Sequence, residues 1–191
     1  IHGYYACVSY IDALIGRLLT ELEEQGLAKN TIVVLIGDHG WNLLEHGLWC
    51  KQSNYRTSVF PAFVMKVPGM KRNLRPDGLV ELVDLFPTLC ELTGLNPPKG
   101  LDGTSLTPVL SGASNKVKEY AFSRWYSGYS VISDNFIYTE WWDDAGMAID
   151  RMLYDHRSDP GENYNVAGDP GYEEVMKDLS ERLHTGFKTE Q

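Results

Sequence analysis

Three scarce features of the sequence each exclude a class of protein. Its three cysteines, Cys7, Cys50 and Cys90, are far apart and form neither a CxxC pair nor a zinc-ligand spacing. We therefore expect buried thiols and no disulfide framework. No Lys/Arg cluster is present and the formal net charge is −9, which excludes the basic face of a nucleic-acid-binding protein. No run of about 18 apolar residues occurs, so we expect no transmembrane helix.

The composition is that of a globular protein, with 43% apolar and 23% charged residues. The acidic balance does not exclude an anionic substrate, because a bound metal and one lysine reverse the charge locally. The sequence starts inside a predicted helix, with neither an initiator methionine nor a signal peptide. We therefore expect it to be a fragment of a longer protein.

The first part of the chain has an α/β pattern. Apolar residues recur every three or four positions over 4–25, which predicts a helix with one apolar face. That face contains Val8, Ile11, Ile15, Leu18 and Leu22. The run TIVVLI at 31–36 is short, continuous and β-branched, which predicts a strand buried on both faces of a parallel sheet. A helix followed by a short loop and a buried strand is typical of α/β folds.

A second α/β stretch follows and ends near residue 115. A strand is predicted at 61–67 and a helix at 79–92, in which Pro87 either introduces a kink or begins a new turn. The segment 100–112 is rich in turn residues and reads as a connection.

Beyond this connection the sequence predicts an antiparallel meander. Its strands correspond to short aromatic and β-branched runs at 120–125, 129–133, 136–141 and 152–155. A closing amphipathic helix is predicted at 172–187. We therefore divide the chain into an α/β part at 1–115 and a small antiparallel subdomain with a C-terminal helix at 116–191.

The most informative residues are Asp38 and His39, between Gly37 and Gly40 just after the first predicted strand. The glycines allow a sharp turn and a close backbone approach. An adjacent carboxylate and imidazole can ligate a divalent cation or act as an acid/base pair. The alternative is structural: Asp38 caps a turn and His39 is an ordinary loop histidine.

The loop after these residues is dense in donors and aromatic rings. It contains Trp41, Glu45, His46, Trp49, Lys51, Asn54, Tyr55 and Arg56. Loops of this kind commonly build sites. Lys51 either binds an oxyanion as a point charge or is a solvated surface lysine.

Here the sequence resembles type I sulfatases, most closely the iduronate-2-sulfatase-like branch. The segment GDHGWNLLEHGLWCKQSNYR at 37–56 is similar to that family's metal loop. Other similar segments, in the family's order, are YYACVSYIDALIGRLLTEL at 4–22, LVELVDLFPTLCELTGL at 79–95, DGTSL at 102–106, and LYD at 153–155 followed by Asp159, Pro160, Glu162 and Asn163. The ordered set is more specific than any one segment.

The resemblance implies an alkaline-phosphatase-like α/β fold, of which this chain is the C-terminal part. It implies that Asp38 and His39 ligate a calcium ion and that Lys51 contacts the sulfate. Trp41, His46 and Tyr55 are then expected to shape a pocket for a sulfated sugar, and a periplasmic, secreted or lysosomal location is implied. The polar residues Asp84, Asp155, Asp159, Glu162 and Asn163 are interpreted as structural, in turns and caps.

Two family features are missing from this chain. Type I sulfatases carry a formylglycine made from the Cys or Ser of a C/S-x-P/A-x-R motif, and no cysteine here fits it. The family's early Asp-Asp metal pair is also missing. Both lie N-terminal to this segment in the family, so we expect this chain alone to be inactive. A truncated sheet exposes an edge and apolar surface, so we also expect self-association.

Two other functions are compatible with the sequence. Phosphonate monoester hydrolases and phosphodiesterases of the alkaline phosphatase superfamily also carry a DHG-type metal loop. The other alternative is a non-catalytic carbohydrate- or protein-binding module that has kept the scaffold.

Overall fold

The structure is a computed structural model that describes residues 1–70 and 73–187. The described residues form two compact units. One unit contains 1–37 and 62–70, and the other contains 38–61 and 73–187. The predicted division into 1–115 and 116–191 stays a prediction.

The helices and strands follow one another along the chain in this order: α1 (His2–Glu24), β1 (Val33–Ile36), β2 (Asn42–Leu43), β3 (Trp49–Cys50), α2 (Arg56–Val59), β4 (Phe63–Lys66), α3 (Leu85–Leu92), α4 (Thr107–Leu110), β5 (Ala121–Trp125), β6 (Gly128–Ile132), β7 (Phe136–Trp142), β8 (Ala148–Asp155) and α5 (Glu173–Gly186). In the part of the chain that the structure describes, no helix has the length and apolar character needed to cross a membrane.

The first unit combines α1 with a two-stranded sheet. The predicted N-terminal helix is confirmed, and β1 pairs with β4 in an antiparallel register from Val33↔Lys66 to Ile36↔Phe63. No residue of α1 is buried, and Leu35 and Ile36 of β1 are exposed. The prediction of a strand buried on both faces of a parallel sheet is therefore wrong for β1. Its single neighbour among the described strands is antiparallel, and an apolar run does not specify the direction of its partner.

The three cysteines are free thiols in different surroundings. Cys90 is buried in α3, Cys50 is half-buried and Cys7 is exposed on α1. The prediction of buried thiols holds for Cys90 and is wrong for Cys7, because α1 buries none of its residues.

The second unit is built around a four-stranded antiparallel sheet in the order β5-β6-β7-β8. Each strand pairs with the next one along the chain, which confirms the predicted meander. The closing helix α5 is also confirmed, whereas β8 is longer than predicted and begins at Ala148. The core under α5 consists of Val131, Tyr138, Leu153, Leu179 and Leu183.

A buried carboxylate on β7 joins the sheet to α5. Glu140 has 0% exposure and accepts hydrogen bonds of 2.6–2.9 Å from the side chains of Tyr138, Trp142, Ser180 and His184. Burial alone would raise the pKa of Glu140, but these donors outweigh it and lower the pKa. Because a buried charge is costly without partners, this network fixes where α5 lies on the sheet.

Asp84 holds the connection that precedes the sheet. Its carboxylate accepts the backbone N–H groups of Glu81 and Thr104 at 2.8 Å and the Lys118 ammonium at 2.7 Å. The predicted structural role of Asp84 is therefore confirmed. Since α3 begins at Leu85, Pro87 lies in the first turn of that helix, where proline is tolerated.

Candidate functional site

Asp38 and His39 are neighbours at the start of segment 38–61. The Asp38 side chain is 85% exposed and the His39 side chain is 28% exposed. The Nε2 atom of His39 lies 3.4 Å from Oδ2 of Asp38. The two side chains therefore direct one nitrogen and one oxygen toward the same small volume.

A backbone contact sets the tautomer of His39. Its Nδ1 atom lies 2.8 Å from the carbonyl oxygen of Gly40, and a carbonyl oxygen only accepts hydrogen bonds. Nδ1 therefore carries the proton of the neutral ring, which leaves the Nε2 lone pair on the side of Asp38. Metal-ligating histidines use this arrangement, with one ring nitrogen donating to a backbone carbonyl.

Gly40 is required by a close approach of two chain segments. Its N–H donates to the carbonyl oxygen of Ser58 at 2.7 Å. A Cβ atom at this position would lie 1.9 Å from the carbonyl oxygen of Thr57, a distance that no side chain can occupy. The glycine after His39 therefore serves the packing of the loop, and this packing holds the carbonyl group that orients His39.

The pair fits part of a divalent-cation site. Oxygen ligands bind Ca²⁺ at about 2.3–2.6 Å, so neighbouring ligands in one shell lie about 3–3.5 Å apart. Within residues 1–70 and 73–187, no three His, Cys, Asp or Glu side chains are placed to hold an ion together. Among these four side-chain types, the described residues thus supply two donors at this point, whereas Ca²⁺ takes about six to eight ligands.

The loop after His39 is an ordered hairpin, β2–β3, around the buried Asn42. The Asn42 amide donates to the carbonyl oxygen of Cys50 at 2.8 Å and to the Ser58 hydroxyl at 2.9 Å, and it accepts from Thr57. Sequence reasoning found no period in this segment, because strands of two residues are too short to show one. The side chain of Asn42 adds to the short β2–β3 ladder and ties the hairpin to α2.

Three residues of this hairpin have a left-handed backbone. The φ angles of Leu44, His46 and Cys50 are 93°, 56° and 73°. Such conformations cost about 1–3 kcal/mol each in residues other than glycine and persist where the surroundings enforce them. The Glu45 carboxylate supports the turn by accepting the Leu43 amide, which lowers the pKa of Glu45. The concentration of strain in one loop supports a functional role for it.

His46 and Tyr55 form one face of this loop. Their rings stack with centroids 3.8 Å apart and an angle of 7° between the planes. The Tyr55 ring also lies 5.8 Å from that of Tyr154 on β8. Burial, followed by hydrogen bonding with Tyr55, raises the pKa of Tyr154. The loop is therefore joined to the sheet through Tyr55.

The other predicted site residues lie in two places. The half-buried Trp41 has its ring 6.4 Å from that of His39, so it belongs to the Asp38 end of the loop. Lys51 is exposed, and among the described residues its side chain makes no hydrogen bond or ion pair with Asp38 or His39. The structure thus brings Asp38, His39 and Trp41 together and stacks His46 on Tyr55, and among the described residues it shows no bond from the Lys51 side chain to Asp38 or His39.

The sequence does not reveal one long-range contact of segment 38–61, which we call the site loop. Glu162, interpreted as a turn residue, accepts the backbone N–H of Arg56 at 2.8 Å across a separation of 106 residues. The only signal was a Glu that follows the turn sequence Asp-Pro-Gly, and this does not identify a partner so far away in the chain.

One known protein family matches most of the chain. Residues 44–189 match the family described as N-sulphoglucosamine sulphohydrolase, C-terminal. The matched range begins after Asp38 and His39 and includes His46, Lys51 and Tyr55.

Curated relatives extend the similarity to the N-terminal residues. Arylsulfatase K of Homo sapiens is 32% identical over 195 residues, which cover 95% of this chain and 36% of that protein. The Delta 4,5-hexuronate-2-O-sulfatase of Bacteroides thetaiotaomicron is 33% identical over 175 residues, 85% of this chain and 36% of that protein. The chain spans about a third of the length of the curated relatives it matches.

Solved structures agree with these similarities. A protein in complex with its substrate D-glucosamine-2-N,6-O-disulfate has a TM-score of 0.79 at 27% identity, over 93% of this chain and 38% of that one. The phosphonate monoester hydrolase of Silicibacter pomeroyi has a TM-score of 0.81 at 28% identity, over 92% of this chain and 38% of that one. The expected alkaline-phosphatase-like α/β fold is therefore confirmed.

Proposed function

The chain belongs to the sulfatase family described as N-sulphoglucosamine sulphohydrolase, C-terminal, and on this premise we propose that the protein carrying it hydrolyses O-sulfate esters of a sulfated saccharide. The structural observation that carries the proposal is the proximity of His39 Nε2 to Asp38 Oδ2, 3.4 Å apart, with Nδ1 held by Gly40. The relatives support the substrate class, because one is named for a hexuronate 2-O-sulfate and a structural neighbour holds a sulfated glucosamine. The iduronate-2-sulfatase-like subtype is part of this proposal.

Each predicted residue then has one task. Asp38 and His39 hold a calcium ion, which when bound supplies positive charge that polarises the sulfate group. Lys51, exposed on the loop, contacts the sulfate oxygens as a point charge and stabilises negative charge that develops on them. Trp41 and the stacked His46 and Tyr55 pack against the sugar and orient the ester.

We further propose that these residues form one wall of a larger site. The donor pair is too small a set for Ca²⁺, and none of the three cysteines lies in a formylglycine motif. The remaining ligands and the nucleophile would come from sequence that lies N-terminal to this segment in the relatives. The isolated 191-residue chain is accordingly expected to lack sulfatase turnover.

The second candidate function is phosphonate monoester or phosphodiester hydrolysis, favoured by the structural likeness to the hydrolase of Silicibacter pomeroyi. The same wall would then hold a phosphonate group in place of a sulfate. A comparison of turnover on sulfate esters and phosphonate monoesters by one enzyme preparation separates the two functions.

The test uses the full-length protein with Asp38→Ala and, as a matched exposed control, Asp77→Ala. We expect turnover of a sulfated disaccharide to fall by about a hundredfold or more in Asp38→Ala and to stay unchanged in Asp77→Ala. Calorimetric titration with calcium should show weaker binding only for Asp38→Ala. Preference for the phosphonate ester would favour the second function. Absence of all turnover, with calcium binding indifferent to Asp38→Ala, would favour a non-catalytic binding module.

A further inference from the structure

Glu162 is a buried carboxylate that reaches the site loop from the other end of the second unit. It lies in the loop after β8, is 2% exposed, and its Oε2 accepts the backbone N–H of Arg56 at 2.8 Å. Arg56 is the first residue of α2, directly after Tyr55. A buried charge is costly unless it is paired, so this contact is a specific one.

The second oxygen of Glu162 is also in use. Its Oε1 lies 2.8 Å from Nε2 of His156, whose side chain is nearly buried. The backbone N–H of His156 donates at 2.8 Å to the carbonyl oxygen of Asn135, in the turn between β6 and β7. A continuous line of hydrogen bonds therefore runs from the sheet through His156 and Glu162 to Arg56.

The backbone around Glu162 is arranged to direct this side chain. Glu162 has a φ angle of 56°, which is uncommon for glutamate, and its N–H donates to the carbonyl oxygen of Asp159 at 3.1 Å. Asp159 in turn accepts from the Asn163 side chain and the Tyr164 backbone at 2.9 and 2.8 Å. These bonds hold the left-handed residue in place and aim its carboxylate at Arg56.

The residue placed by this contact is Tyr55. Its ring is stacked on His46 at 3.8 Å and lies 5.8 Å from Tyr154. Tyr154 supports Tyr55 through its ring, and Glu162 supports it through the next peptide group. Removal of either support would free the loop to rotate the stacked pair.

We propose that Glu162, backed by His156, is a positioning residue that fixes the Tyr55–His46 stack as the sugar-facing wall of the site. This rests on the proposed function, since the stack is a substrate wall only if the protein binds a sulfated saccharide there. Glu162 itself contacts no substrate and acts through the Arg56 peptide and Tyr55.

The test compares Glu162→Ala, Glu162→Gln and the control Tyr164→Ala in the full-length protein. A glutamine can still accept the Arg56 N–H through its oxygen, while its amide group faces His156 in the other tautomer. Tyr164 lies in the same loop and is 75% exposed, and an alanine there keeps the backbone N–H that donates to Asp159. Two quantities are measured: hydrogen exchange of the Arg56 amide, and KM and kcat for a sulfated disaccharide.

We expect Glu162→Ala to raise KM about tenfold with kcat changed less than about twofold, and to speed exchange at Arg56 about tenfold. Glu162→Gln should restore both values, and Tyr164→Ala should match the wild type. Unchanged exchange at Arg56, an unchanged KM, or faster exchange spread evenly over β5–β8 would overturn the positioning role. If the wild type hydrolyses no sulfate ester, the proposed function fails, and the exchange at Arg56 alone then decides whether Glu162 positions the loop.

Discussion

The helices at the two ends of the chain have similar apolar patterns but opposite surroundings. On α1, Val8, Ile11 and Leu18 recur at helical spacing and are exposed, whereas Leu179 and Leu183 of α5 are buried against the sheet. Amphipathic spacing therefore predicts a helix and its face, while burial requires a covering layer in the same unit. The expectation of self-association, which depends on the exposed apolar surface, stays a prediction.

The largest expected effect is a core truncation in α5. Leu183→Ala should lower the free energy of unfolding of this chain by about 2–5 kcal/mol, because it removes a side chain with 0% exposure. Leu18→Ala, at a residue that is 71% exposed, should change it by less than about 0.5 kcal/mol. Urea unfolding followed by circular dichroism measures both. Equal losses of unfolding free energy in the two variants would contradict the difference in burial between α1 and α5.

A smaller effect is expected from polar groups in the same two regions. Glu140→Gln should lower the free energy of unfolding by about 2 kcal/mol, because four side-chain donors converge on that buried carboxylate. Its control is Glu23→Gln on α1, whose ion pair with Lys66 Nζ at 3.6 Å is solvent-exposed. That change should lower the free energy of unfolding by less than about 0.5 kcal/mol. A Glu140 variant as stable as the control would show that the network does not hold α5.

The smallest effect concerns pH and the strand that precedes the Glu162 loop. The Arg157 guanidinium lowers the pKa of Asp155 from 3.8 to about 2. Because this pKa is lower in the folded state, ionised Asp155 stabilises the fold above pH 3.8, and the contribution is lost as the pH falls through 2. Asp155→Asn should therefore lose less stability than the wild type between pH 5 and pH 2.5. Arg157→Gln should reduce the pH dependence in the same direction, and identical urea midpoint shifts in all three proteins would contradict the assignment.

Much of the second unit was predictable because its strands are short aromatic and β-branched runs and its closing helix has a clear helical period. The runs that became β5, β6 and β7 are separated by turn residues, and Val175, Leu179 and Leu183 lie on one face of α5. The direction and burial of β1 were not predictable, because they depend on which strand lies beside it. The hairpin β2–β3 was missed because Asn42, and not a periodic pattern, holds it together.

The candidate site was predictable in its residues but not in its connections. Asp38 and His39 are recognisable from two flanking glycines, yet the tautomer of His39 depends on where the Gly40 carbonyl points. The stacking of His46 on Tyr55 and the contact of Glu162 with Arg56 join residues 9 and 106 positions apart, respectively. Such pairings come from the tertiary fold, and local spacing carries no information about them.

Gly40 also changes how the Gly-Asp-His-Gly tetrapeptide should be used in sequence searches. Its last residue, Gly40, is set by the 1.9 Å approach to Thr57, whereas Asp38 and His39 are the metal ligands that we propose. A homologue that kept Asp and His but replaced this glycine would have to move the 57–58 backbone away, and the imidazole would lose its alignment. A search pattern that treats the glycine as obligatory therefore selects for loop geometry, and it discards chains that carry the two proposed ligands in a different orientation.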